Sequence, residues 1–172
     1  MGAFFKSIGV YMSIIMLIFC ALSGENAEKN RKEIFAEMLN ANYAAECDFE
    51  SERDLFISSL IALRDSADSE GYIPRAEVDR FMLDMYGINS ENLEVQTLGE
   101  REEKCFILIP PMGYDELSYE ITEINKTETG YAAEVIISVN PHDSDEYFIP
   151  ATAYFEKSEK SAYGFILTNI DE

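Results

Sequence analysis

The sequence predicts an α+β domain in which about three helices pack on a curved antiparallel sheet of about four to six strands. Two observations indicate this fold. Apolar residues recur at helical spacing up to Gly87, whereas beyond it they recur at every second position, as in strands. Polar breaks of hairpin length separate the strand candidates, which favours antiparallel neighbours. After an N-terminal segment at 1–23, we therefore expect one domain at 24–172, helical at 24–87 and sheet-forming at 88–172.

Three amphipathic segments predict the helices. The first spans about 26–47, and the second follows Asp48 or Ser51 as its N-cap. The third runs from Pro74 to Tyr86, with the proline in the first turn and Gly87 as a left-handed stop. The residues expected to be buried are Ile34, Phe35, Met38, Leu39, Tyr43 and Cys47 in the first helix, Phe56, Leu60 and Leu63 with Ile57 and Ile61 beside them in the second, and Val78, Phe81, Met82 and Met85 in the third.

Segments rich in β-branched and aromatic residues predict the strands. The clearest alternation runs from Tyr131 to Val139, where apolar residues alternate with Glu134 and Ser138. This pattern is typical of a strand with one face on a core and the other partly in water. The predicted strands are Leu93 to Leu98, Cys105 to Ile109, Leu117 to Ile124, Tyr131 to Val139, Tyr147 to Lys157 and Tyr163 to Ile170.

The N-terminal segment is predicted to be an export signal. Residues 7–21 form an uncharged apolar run behind Lys6, and Ala21 and Ser23 offer a small-residue exit that allows cleavage before Gly24. The run is shorter than the roughly 20 apolar residues that span a bilayer, which favours cleavage over anchoring. We therefore expect an exported protein, secreted or associated with the cell envelope, that meets a membrane only through this segment if it is retained.

Two other fates of the N-terminal segment stay open. Lys29, Arg31 and Lys32 follow the run closely, which is the wrong charge asymmetry for an uncleaved anchor with its N-terminus inside. Cys20 stands near the end of the run, as in bacterial lipoproteins, but Phe19 precedes it where their pattern has Gly or Ala. Cleavage is thus favoured over both anchoring and lipidation.

The charge of the chain excludes one large class of partner. It contains 13 Lys and Arg against 33 Asp and Glu, a formal net charge of −20 at pH 7. So negative a chain repels phosphate backbones and anionic lipid headgroups, and no basic cluster offers a local exception. We expect no nucleic-acid binding; the partner is expected to be a protein or a small molecule.

Cys47 and Cys105 are the two thiols that remain once the signal is removed. In an oxidising compartment they could form a disulfide between the helical part and the sheet part. Two buried free thiols explain the same residues, because sequence alone cannot place the sulfurs within bonding distance. Both alternatives stay open.

Residues 66–77 resemble the calcium loop of an EF-hand. Gly71 falls at the sharp turn, and Glu77 falls at the twelfth position, which holds a bidentate carboxylate. Ser66, however, occupies the position of the nearly obligatory first Asp, and a helix–turn–helix connection explains the same residues. If the loop binds Ca²⁺, the resemblance implies as ligands Asp68, Glu70, Tyr72 and Glu77.

No catalytic residue is predicted. His142 is the chain's single histidine, and it lies in a turn-like segment where a solvated side chain is expected. One histidine and two distant cysteines give no zinc-ligand spacing. No glycine-rich phosphate loop is present, so no cofactor is expected apart from the alternative of Ca²⁺.

The element order is similar to that of NTF2-like and cystatin-like domains. The likeness lies in helices followed by a meander that ends in Tyr154 to Lys157 and Tyr163 to Leu167, and it implies no particular function, because such folds serve many. The sequence therefore favours an exported, non-catalytic binding or envelope-associated domain. The alternatives are a calcium-responsive module and an enzyme with an acid/base pocket inside the curved sheet.

Overall fold

The computed structural model describes residues 27–42, 48–90, 100–101, 104–106, 117–140 and 146–172. The chain groups into two compact units, Met1–Phe35 and Ala36–Glu172. The helices are α1 at 27–40, α2 at Glu52–Ala62 and α3 at Arg75–Tyr86, with a 3-10 turn at Arg64–Ser66. The strands are β1 (Tyr72–Pro74), β2 (Glu100–Arg101), β3 (Lys104–Phe106), β4 (Leu117–Lys126), β5 (Gly130–Val139), β6 (Tyr147–Lys157) and β7 (Phe165–Asp171).

The α+β class and the C-terminal antiparallel sheet are confirmed. Strands β4 to β7 form a four-stranded meander in which each strand pairs with the next along the chain. We call it the main sheet. The observed bounds of β5 and β6 match the predicted ones to within one residue, because strict alternation marks a half-buried strand clearly.

The predicted strand that begins at Cys105 does not belong to the main sheet. Its described part, β3, pairs with β1 and β2 in a separate three-stranded sheet, with Ile73 opposite Cys105. The sequence pattern predicts a loop at Tyr72 and Ile73 and a helix start at Pro74, since a three-residue strand is too short to show a period. The predicted strand Leu93 to Leu98 lies outside the described residues.

The first helix is shorter than the predicted 26–47, because α1 ends at residue 40 in a turn. The ends of α2 and α3 follow the expected capping chemistry, with one difference. The hydroxyl of Ser51 accepts a hydrogen bond from the Asp54 amide at 3.2 Å, which makes it the N-cap of α2. Gly87 has φ = 73° and its amide donates to the Leu83 carbonyl, so the left-handed stop of α3 is confirmed. Pro74 is the N-cap of α3 instead of its first helical residue, because it ends β1 in an extended conformation.

One face of the main sheet is buried. Ala133, Val135, Ile137 and Val139 are at most 3% exposed, as the alternation in β5 predicts. Residues at the matching register positions of the other strands share this face, which we call the inner face. Its other buried members are Tyr119, Ile121, Ala151, Ala153, Phe155, Leu167 and Ile170.

Most of the apolar helix residues that were predicted to be buried are buried in the structure. In α3, the predicted Val78, Met82 and Met85 are fully buried, whereas Phe81 is half-buried. Tyr86 is buried beside them and its hydroxyl donates to the Asn42 Oδ1 at 2.9 Å. In α1 and α2, the predicted Phe35, Met38, Leu39, Phe56 and Leu60 are buried, while Ile34, Ile57, Ile61 and Leu63 are half-buried.

Helix α3 is fastened to the turn between β6 and β7. The Ser161 hydroxyl donates to the Asp84 carbonyl oxygen at 2.6 Å, and the Ala162 amide donates to the Asp84 carboxylate at 2.8 Å. Close packing continues at the end of the helix, where a Cβ on Gly87 would come within 3.1 Å of the Ile166 side chain. These contacts hold the last hairpin of the main sheet in place.

A part-buried ion pair ties α3 to its surroundings. The Arg75 Nε lies 2.9 Å from the Asp79 Oδ1, and the guanidinium carbon lies 5.2 Å from the centre of the Phe56 ring in α2. The Ser90 hydroxyl also donates to Asp79, while Arg75 donates to the Ser90 carbonyl. These hydrogen-bonded polar groups connect the start of α3 to Ser90 and to Phe56 of α2, so their role is structural.

Candidate functional site

The face of the main sheet opposite the inner face, which we call the outer face, carries charges of a single sign. The register of the four strands places its residues at positions alternating with the buried ones. In the described strands, no Lys or Arg occupies an outer-face position. The charged residues there are all acidic, namely Glu120, Glu123, Glu134, Glu156 and Asp171.

A cleft of about 210 Å³ opens at one end of the main sheet, where the turn between β4 and β5 meets β6 and β7. Its lining combines hydroxyl, amide and carboxylate groups with aromatic rings. The lining residues are Thr127, Thr129, Tyr131, Tyr154, Phe155, Glu156, Thr168, Asn169 and Asp171. The cleft therefore offers hydrogen-bond acceptors and negative charge beside aromatic surface.

A β-bulge in β7 shapes the cleft. Leu167 pairs with Phe155 and Asn169 with Tyr154, so Thr168 is an extra residue that has no counterpart in β6. Its hydroxyl donates to the Tyr154 carbonyl oxygen at 3.2 Å. Because a bulge shifts the alternation of a strand by one residue, Asp171 falls on the outer face, opposite Thr152.

Tyr154 and Asp171 form the polar centre of the cleft. The pKa of the Tyr154 phenol is raised above 10.0, first by its partial removal from water, then by the charge and hydrogen bond of Asp171, and last by the charge of Glu134. The Asn169 amide nitrogen donates to the Asp171 Oδ1 at 2.5 Å. Nearby, the Thr152 hydroxyl donates to the Glu134 carboxylate at 3.2 Å. These two donors thus orient the carboxylates of Asp171 and Glu134.

We expect Asp171→Asn to lower the pKa of Tyr154 towards 10.0, because it removes a neighbouring charge that favours the neutral phenol. The raised pKa contributes stability that is complete below pH 10.0 and is lost as the pH rises through the folded-state pKa. Titration of ¹³C-labelled tyrosine by NMR, with Tyr154→Phe for assignment, measures this shift. Tyr163 is the internal control, since its pKa is raised by burial, Glu37 and Asp84. Equal shifts at both tyrosines would contradict the assignment.

The chemistry of the cleft suits the binding of a cation. Carboxylates accept charge-assisted hydrogen bonds from ammonium and guanidinium groups, and a tyrosine ring attracts cations over its face. A phenol whose pKa is raised stays protonated near neutral pH, so Tyr154 serves as a hydrogen-bond donor and not as a base. The arrangement therefore favours recognition over proton transfer.

The predicted calcium ligands lie in and just after a tight turn. The Asp68 Oδ1 accepts hydrogen bonds from the backbone amides of Glu70 and Tyr72, each at 3.0 Å, and Glu77 is exposed in the first turn of α3. Within the part of the chain that the structure describes, no three His, Cys, Asp or Glu side chains are grouped to hold a metal ion. Calcium binding at this loop stays a prediction from the sequence.

Several other predictions fall on residues that the structure does not describe. They concern the export signal at 1–23, Cys20, Cys47 and His142. Cys105 lies in β3, and Cys47, its partner in one of the two alternatives, lies outside the described residues. Among the described helices, none combines the length and the apolar character needed to cross a membrane.

No sequence pattern marks the residues of the cleft. Tyr154 and Asp171 lie on different strands, and no motif links them. One signal was available: Leu167 and Ile170 are three residues apart in a predicted strand, whereas regular alternation separates residues of one face by two. If Leu167 and Ile170 are both buried on one face, their odd spacing requires a bulge, which moves the residues after it to the opposite face.

The chain matches no protein-family model, and comparisons with curated proteins and with solved structures give no match. The likeness of its element order to NTF2-like and cystatin-like domains therefore stays an expectation.

Proposed function

We propose that this protein is a non-catalytic binding domain whose cleft at Tyr154 and Asp171 takes up an ammonium or guanidinium group. The observation that carries the proposal is a cleft lined by two carboxylates and two tyrosines, with no Lys or Arg in its lining. Charge on the ligand is needed because a neutral or anionic group would leave these carboxylates without a complementary charge.

The surroundings of the cleft support the same ligand class. Glu134 lies near enough to Tyr154 to raise its pKa, so its negative charge also reaches the cleft. Asp171 is held by Asn169, which reduces the side-chain entropy that is lost when a ligand binds. The cleft is open to water, and we therefore expect a modest affinity that weakens as salt screens the charges.

The place of action follows from the predicted export signal. We propose that the domain works outside the cytoplasm, secreted or associated with the cell envelope, where the cationic group would belong to a protein or a small molecule. The calcium-responsive module remains an alternative from the sequence alone. The acid/base enzyme has little support, since no Asp or Glu occupies an inner-face position in the described strands.

Binding of methylguanidinium and n-butylammonium, followed by NMR titration, tests the proposal. We expect both cations to shift the amides around Tyr154 and Asp171, and Asp171→Asn to weaken the affinity about 10-fold, the lower end for a charged hydrogen bond because the site is open to water.

The matched control is Glu120→Gln, which removes the same charge from the outer face in β4, outside the cleft lining. It should change the affinity less than 2-fold, because a distant exposed charge is largely screened. Equal losses in the two variants, or equal binding of the neutral n-butanol, would show a diffuse charge effect and overturn the proposal.

A further inference from the structure

An exposed apolar patch lies on the outer face, at the end of the main sheet away from the cleft. Phe148 is 64% exposed and Ile136 is 36% exposed. The register places Pro150 opposite Ile136, and Phe148 opposite Ser138, so these three apolar residues are close neighbours on one face. Tyr147, the residue before Phe148 in β6, is 48% exposed but occupies an inner-face position opposite Val139, so it is not part of this patch. Contiguous exposed apolar residues commonly mark binding surfaces.

The patch and the cleft are joined by one strand. Strand β6 pairs with β5 without a register shift, so Phe148, Pro150, Thr152 and Tyr154 all point to the outer face in one row. Phe148 and Tyr154 are six residues apart, which corresponds to ~20 Å along a strand. Thr152 and its partner Glu134 lie between them.

The charges of this face select the kind of occupant. Its charged residues in the described strands are all acidic, so a second copy of this chain, with a net charge of −20, would be repelled. Anionic lipid surfaces would be repelled in the same way. A polypeptide segment with a basic and an apolar side chain complements both ends of the row, with the basic group at the acidic cleft and the apolar group at Phe148.

We infer that the outer face of β6 binds an extended, basic polypeptide segment of a partner protein, with an Arg or Lys side chain in the cleft and an apolar side chain against Phe148. The inference rests on the proposed function for the cleft and adds a second contact point. A segment of about seven extended residues spans the ~20 Å between the two points.

Isothermal titration calorimetry with capped heptapeptides tests this inference. One peptide carries Leu at one end and Arg at the other, separated by Ser and Thr, and is made in both sequence directions. Two further peptides replace either Leu by Ser or Arg by Gln. We expect the two-point peptide, in one direction, to bind at least 10-fold more tightly than either single-point peptide.

The variant Phe148→Ala separates the two contact points. It should reduce the affinity for the two-point peptide to that of the peptide without Leu, and should leave the latter unchanged. If Leu adds no affinity or Phe148→Ala has no effect, while Asp171→Asn still weakens Arg binding, the inference is overturned and the proposed function stands. If Asp171→Asn leaves Arg binding unchanged, or no peptide binds, both fail.

Discussion

Replacing Phe155 by alanine is expected to lower the free energy of unfolding by about 3–5 kcal/mol. The ring is 1% exposed and lies on the inner face of β6, between Tyr131 of β5 and Leu167 of β7. Its removal deletes buried apolar surface and leaves a cavity that the paired strands around it cannot close, because their hydrogen bonds fix their spacing.

Urea denaturation followed by circular dichroism measures this loss, and the same strand offers the control. Phe148→Ala makes the same chemical change at a side chain that is 64% exposed, so it should cost less than about 0.5 kcal/mol. Because both variants replace Phe by Ala in the same strand, their effects on the unfolded chain are similar. The difference between their free energies of unfolding therefore reports the effect of burial. Similar losses in both would contradict the assignment of Phe155 to the core.

Replacing Gly130 by alanine is expected to cost about 2–3 kcal/mol, near the upper end for the insertion of a methyl group into packed structure. A Cβ at this position would overlap the carbonyl oxygen of Phe155 and lie 2.9 Å from the Cα of Glu156. The atoms in the way belong to the backbone of a paired strand, so they cannot rotate aside. Strands β5 and β6 would have to separate at the cleft.

Thermal unfolding and cation binding together test this prediction. Gly130→Ala should lower both the stability and the affinity for methylguanidinium, because Phe155 and Glu156 line the cleft. Glu128→Ala, at an exposed position in the same turn, is the control for stability and should leave the unfolding temperature nearly unchanged. A Gly130→Ala protein with unchanged stability would contradict this close approach of β5 and β6.

Local patterns were sufficient for most of the elements. The Ser51 cap, the Gly87 stop and the alternation in β5 each depend on residues that are neighbours in sequence, so they could be predicted without knowing the fold. The pairing of β1 with β3 could not, because three-residue strands have no period of their own and acquire a partner only through tertiary contacts.

The sequence by itself determined the α+β class, the Gly87 stop of α3 and the extents of β5 and β6, because helical and strand periods are local properties. The tertiary structure alone decided the cleft. If Thr168 paired with Tyr154 in a regular register, Asp171 would fall on the inner face and Ile170 on the outer face. Burial of Ile170 in the core stabilises the bulge, and the bulge turns Asp171 towards Tyr154. The acidic cleft thus depends on a pairing register, which requires the packing of the whole sheet.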